Sequence, residues 1–180
     1  MRLFIGISIP DRVKKQISSI SAYFSEVFPG KYTAQDTYHI TLAYIGECDD
    51  KMRDKVICAM NHCALKQFPL FITTGKADYF GKCDKGILHL QADSGGELES
   101  IASDLREKLS ASGLTFDPKP LNAHITLARK CRIDQPLSDI PLPRLSFAAM
   151  GLTLFHSCRV DDVLKYIPLH FEPFTGERNR

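Results

Sequence analysis

Apolar and polar positions alternate, cluster and repeat along this chain in patterns that mark its elements before any chemistry is considered. Residues 2–9 are rich in β-branched and aromatic side chains and stop at Pro10-Asp11, which predicts a strand followed by a helix start. Val13, Ile17, Ile20, Phe24 and Val27 then recur at intervals of three and four, one buried helical stripe that Pro29-Gly30 ends. A second helix is predicted from Asp49 or Asp50, as cap, towards Gln67, burying Met52, Val56, Met60 and Cys63. Strands follow at residues 70–77 and 86–91, with the polar "GKCDKG" as the turn between them. A third helix covers about residues 96–112 on Leu98, Ile101, Leu105 and Leu109, closed by Gly113.

The proline-rich residues 134–144 read as a surface loop, and two strands near 145–155 and 163–169 complete the pattern. The polar residues 175–180 are expected to fray. The order β-α-β-α-β-β-α-β-β-β spaces its strands too closely for uniform parallel crossovers. It therefore predicts an α+β fold of mostly antiparallel sheet with helices packed outside.

Composition narrows the class. The 180 residues, 44% of them hydrophobic, suffice for one domain spanning 1–180, built as one body or as two lobes sharing a core. Lys and Arg number 23 against 21 Asp and Glu, so a net charge of +2 excludes wrapping long duplex DNA by charge alone but leaves a few phosphates as partners. The opening run is too short and meets Pro10 too early for a secretory signal, and no stretch approaches the roughly 18 apolar residues of a membrane span. A cytoplasmic protein without membrane attachment is expected. The six cysteines are scattered with no C-x-x-C, which favours free thiols and gives no zinc framework.

Candidate chemistry comes from a repeat. His-Ile-Thr-Leu-Ala occupies residues 39–43 and again 124–128. In extended chain, His39 and Thr41 face one side while Ile40 and Leu42 face the other, and the same holds for His124, Thr126, Ile125 and Leu127. If the copies belong to two related halves about an approximate two-fold axis, both His-Thr pairs converge on one cleft. Two imidazoles across a reacting centre can share general acid and base roles near neutrality. Two hydroxyls between them can donate to the non-bridging oxygens of a phosphoryl group. The substrate this suggests is a phosphodiester.

The paired H-x-T-x motifs resemble the 2H phosphoesterase superfamily, and the flanking text is similar to its RNA 2′,3′-cyclic phosphodiesterase (2′-5′ RNA ligase-like) branch. The resemblance runs from "MRLFIGISIPDRVKK" through "YHITLAYIGE" and "AHITLARK" to "LTLFHSCRVDDVLKYIPL". It implies two pseudo-symmetric lobes around a central cleft, no cofactor and no metal, and hydrolysis of terminal 2′,3′-cyclic phosphate to a 2′-phosphomonoester. It makes His39 the proton donor, His124 the base that activates water, and Thr41 and Thr126 the phosphate holders. Arg129 stands where this branch carries an arginine that clamps phosphate, although strict alternation from His124 points it away. Departures are Gly86 and His89, where relatives carry an arginine and an aromatic, Ala123 for proline, and Tyr32 for tryptophan. Lys85 is a candidate substitute for the missing cation.

Each sharp reading has a bland counterpart. His62, His89, His156 and His170 lack a threonine companion and default to structure or surface. Lys82, Lys85, Lys130, Arg132, Arg144 and Arg159 are a solvated surface by default, some of them able to rim the cleft and steer RNA ends. Tyr44, Tyr79 and Phe80 can stack a base but belong more often to cores; of the three, Phe80 is the candidate substrate contact. The expected partners are RNA ends or small cyclic nucleotides, with the protein as a monomer. Competing functions are a 2′-5′ oligonucleotide phosphodiesterase or reversible 2′-5′ ligase using the same residues, a non-catalytic RNA-binding module, and a metallohydrolase.

Overall fold

The computed structural model describes residues 1–176 and contains nine strands and three α-helices among them. The elements are β1 (Arg2–Ser8), α1 (Asp11–Val27), β2 (Lys31–Tyr32), β3 (His39–Glu47), α2 (Asp50–Ala64), β4 (Leu70–Phe80), β5 (Gly86–Asp93), α3 (Glu97–Ala111), β6 (His124–Cys131), β7 (Leu145–Ala149), β8 (Gly151–Val160) and β9 (Val163–Pro173).

Local chemistry explains the boundaries. Asp49 caps α2, its side chain accepting from the Met52 amide at 2.7 Å. Gly113, at φ +71°, closes α3 as expected: its amide bonds to Ser110 O at 2.9 Å and the Leu114 amide bonds to Leu109 O at 3.0 Å, the paired pattern of a left-handed helix end. The second helix stops at Ala64 rather than Gln67, because the amides of Lys66 and Gln67 turn back to Cys63 O and Ala64 O.

All strand pairings are antiparallel, in a four-stranded sheet ordered β3-β1-β8-β9 and a five-stranded sheet ordered β2-β6-β5-β4-β7. The sheets repeat one plan. Each has a motif strand (β3 or β6) beside the strand that precedes it through a helix (β1 or β5), giving β1-α1-β3 and β5-α3-β6. Helix α1 touches β7 and helix α3 touches β3, so each helix reaches the sheet of the other half, and one continuous apolar cluster runs through both.

One expectation needs correction. Residues 145–155 are not a single strand: β7 pairs with β4 in one sheet, and after Met150 the chain enters β8, which pairs with β1 and β9 in the other. Alternation cannot reveal this, since both pieces are equally apolar. The junction requires glycine at 151, where a Cβ would collide with Glu172 O and the Phe171 ring. The short β2 was also not anticipated. The tail departs from fraying at its start, where Thr175 and Gly176 amides bond to Ala64 O and Gln67 O; residues 177–180 lie outside the described residues. No helix among the described residues is long and apolar enough to cross a membrane.

Candidate active site

The two repeat copies lie on β3 and β6, where Ile40, Leu42, Ile125 and Leu127 are at most 1% exposed and anchor both strands to the core. Burying such side chains is worth about 2 kcal/mol each. The opposite faces carry His39, Thr41, His124 and Thr126, and all four line one cavity of about 170 Å³. Phe4, Ser157 and Tyr166 wall it from the four-stranded sheet, and Thr33 and Thr37 from the connection before β3.

Both rings are oriented in the same way. His39 Nδ1 donates to Thr37 O at 2.7 Å, and His124 Nδ1 donates to Asn122 O at 2.6 Å. A carbonyl can only accept, so each neutral ring carries its proton on Nδ1 and leaves Nε2 as the free base. His39 Nε2 accepts from the Thr41 hydroxyl at 3.0 Å. The His39 ring is fixed further by Phe4 and by the edge of Tyr166, each with its centroid 4.8 Å away.

The electrostatics of the cavity disfavour protonation of both rings. Burial pushes His39 down to about 4, with the charges of His124, Arg129 and Lys14 acting in the same direction and the Thr37 carbonyl opposing them. His124 is also pushed down, mainly by burial and then by Arg129, against the pull of the Asn122 carbonyl.

Arg129 lines the cavity, although strict alternation from His124 turns it away. The reason is a β-bulge. On β5, Leu88 pairs with Ala128 and the next residue, His89, pairs with Thr126, so Leu127 is an extra residue on β6 and Arg129 is turned to the cavity face; a second shift, between Gly86 and Leu88, brings Cys131 back to the core. The first copy does the same: Ile5 pairs with Ala43 and Gly6 with Thr41, leaving Leu42 extra and turning Tyr44 into the cavity. Tyr44 and Arg129, five residues after their histidines, are thus counterparts. The reading that discounted Tyr44 as core missed it; its 40% exposure marks it as a wall residue. The available signal was the Leu-Ala step, two consecutive inward residues in both copies.

Phe80 lies next to the cavity rather than in its lining. It stacks on His89 at 4.0 Å and meets His124 edge-on at 4.8 Å. His89 is 1% exposed beneath it, and Nδ1 donates to Ile87 O, so this imidazole cannot offer a face to a base. A Cβ at Gly86 would press on the Tyr79 ring at 3.1 Å, Lys85 is exposed in the adjacent turn, and the Tyr32 hydroxyl donates to Phe28 O. A larger groove of about 950 Å³ runs between β4 and the proline-rich segment, but no histidine lines it. Among the described residues no group of three or more His, Cys, Asp or Glu is arranged to hold a metal ion.

The sequence model of the 2′-5′ RNA ligase superfamily matches residues 9–155, which include both motifs. The chain belongs to this superfamily. Two bacterial relatives within it are named RNA 2′,3′-cyclic phosphodiesterase: one from Thermotoga maritima, 29% identical over 156 residues and 82% of each chain, and one from Bacillus subtilis, 28% identical over 128 residues, 71% of this chain and 70% of the relative. The crystal structure of Escherichia coli LigT complexed with 3′-AMP is 26% identical, superposes with a TM-score of 0.81, and covers 97% of this chain and 98% of that one. Superfamily membership and the α+β architecture therefore agree.

Proposed function

We propose that this protein hydrolyses the 2′,3′-cyclic phosphate at an RNA end to a 2′-phosphomonoester, using two histidines and no metal. The observation that carries the reading is the convergence of His39-Thr41 and His124-Thr126, from different sheets, on one cavity sized for a phosphoryl group. Relatives named for this activity add support. Because each sheet contributes only one pair, the two lobes act as a single unit.

In this reading the Thr41 and Thr126 hydroxyls and the Arg129 guanidinium hold the non-bridging oxygens. His124 Nε2 takes a proton from water as its oxygen attacks phosphorus. The bond from phosphorus to O3′ breaks, and His39 Nε2–H gives its proton to that oxygen. The free site holds His39 neutral, so the substrate itself must supply the change. One negative charge about 4 Å from the ring is worth about 4 kcal/mol at an effective dielectric constant near 20, enough to return a value of about 4 to near neutrality. Phe80 offers an aromatic flank for the terminal base.

The test is release of 2′-phosphate ends from an RNA 2′,3′-cyclic phosphate in EDTA. Full turnover is expected, lost at least a hundredfold in His39→Ala and His124→Ala and about a hundredfold in Thr41→Ala. Loss of activity on chelation, or cleavage confined to 2′-5′ linkages, overturns the reading.

A further inference from the structure

We propose that single-stranded RNA upstream of the reacting end is gripped by a basic strip across one end of the five-stranded sheet, which makes RNA oligomers rather than free cyclic mononucleotides the preferred substrates. The inference rests on the cyclic phosphodiesterase reading above and extends it from one phosphate to its neighbours.

The strip is assembled from three strand ends. Lys31 on β2 sits directly opposite Arg129 on β6, and opposed residues of an antiparallel pair share a face, so Lys31 continues outward from the cavity wall. Lys130 and Arg132 follow along β6 and its exit. The turn after β4 joins them, because Gly86 pairs with Cys131 and the Ile133 amide bonds to Cys83 O at 2.7 Å. That turn carries Lys82 and Lys85, and it begins immediately after Phe80, whose ring touches His124.

The charge balance is local. These six cations stand with only Asp84 and Asp134 among them, a surplus of four in a chain whose net charge is +2. All six are exposed. Lys31, Lys82, Lys85 and Lys130 make no ion pair among the described residues, and the pair between Arg132 and Asp134, at 4.0 Å with both side chains more than half exposed, is too loose to neutralise the guanidinium. A surface of unpaired like charges is self-repelling and gains most from a polyanion. The strip spans three inter-strand gaps, roughly 15 Å, room for about two phosphates beyond the one in the cavity.

Two contacts on a single strand predict a steeper salt dependence by about 1.4 in the log–log slope, or about sevenfold between 50 and 200 mM salt. The experiment compares kcat/KM for a cyclic-phosphate mononucleotide and for a five-nucleotide RNA ending in the same group. The oligomer is expected to lose about sevenfold more over that range. The triple variant Lys82→Gln, Lys85→Gln, Arg132→Gln is expected to abolish the excess while sparing mononucleotide turnover and the melting temperature. Equal salt slopes for the two substrates, or equal damage to both in the variant, overturn the proposal. If neither substrate is turned over, the activity reading fails, and fluorescence anisotropy with a 3′-phosphorylated five-nucleotide RNA tests the strip alone: binding lost in the variant supports it, and absence of binding refutes it.

Discussion

A histidine is useful to a reaction only if its proton sits on the right nitrogen at the right time, and at the scale of single residues both conditions have visible causes. The carbonyls of Thr37 and Asn122, each two residues before its ring, hold the proton on Nδ1 and aim the other nitrogen into the cavity. Burial then favours the neutral form of both rings. The pH dependence follows with a definite sign. Free-enzyme ionisations govern kcat/KM, and both lie below the ordinary histidine value, so its maximum is expected below pH 6.5. In the proposed mechanism a bound phosphate raises His39, and the kcat profile should then shift towards alkaline pH. Superimposed profiles for kcat and kcat/KM would show that substrate charge does not reset the ring. The His-Thr pairs were legible in the sequence because alternation alone puts imidazole and hydroxyl on one face. The positions of Tyr44 and Arg129 were not, because the bulge that aims them is a property of register between two strands.

At the scale of elements, each bulge is held by a donor from outside its motif. The Thr33 hydroxyl lies 3.1 Å from both Thr126 O and Leu127 O, and its amide bonds to Leu127 O at 2.9 Å. In the first copy Arg106 Nη2, from α3, donates to Leu42 O at 3.2 Å. Arg106 Nε is buried without a hydrogen-bond partner among the described residues, a cost of about 1–3 kcal/mol that the fold tolerates to keep the guanidinium there. Thr33→Val and Arg106→Met should therefore relax the strands that aim Arg129 and Tyr44. Steady-state kinetics should show kcat/KM lowered about tenfold or more, with far-ultraviolet circular dichroism unchanged; wild-type kinetics in both variants would make the clamps merely structural. The three helices were readable in the sequence from their stripes, and α2 and α3 also from Asp49 and Gly113 at their ends. The split of residues 145–155 into β7 and β8 was not, because which sheet an apolar strand joins depends on distant partners, here Leu70–Thr74 and Arg2–Gly6.

At the scale of the whole molecule, neutral buried imidazoles tie stability to pH. His39, His124 and His89 all have folded values below the unfolded one, so the unfolded chain binds more protons between about pH 4 and 6.5. Their stabilisation is complete above pH 6.5 and is lost as the pH falls towards 4. His39 alone accounts for up to about 3 kcal/mol of it. Urea titrations should show wild-type stability declining more steeply than that of His39→Asn across this window, and parallel curves would contradict the burial argument. The passage from β7 to β8 carries a further consequence. Gly151 lies six residues from Ser157 at the cavity, roughly 20 Å along the strand. The Met150–Gly151 step, where the Phe174 amide also bonds to Met150 O at 2.9 Å, is one of the places where the chain passes between the two sheets, which the shared core and helices α1 and α3 also hold together. Over a 20 Å arm a pivot of about five degrees displaces the tips by nearly 2 Å, and a misplacement of about 1 Å can already cost a hundredfold in rate. A shift at that junction, far from the imidazoles, would thus be magnified at the cavity, so the glycine that lets β7 pass into β8 without a clash bears on the geometry of the site.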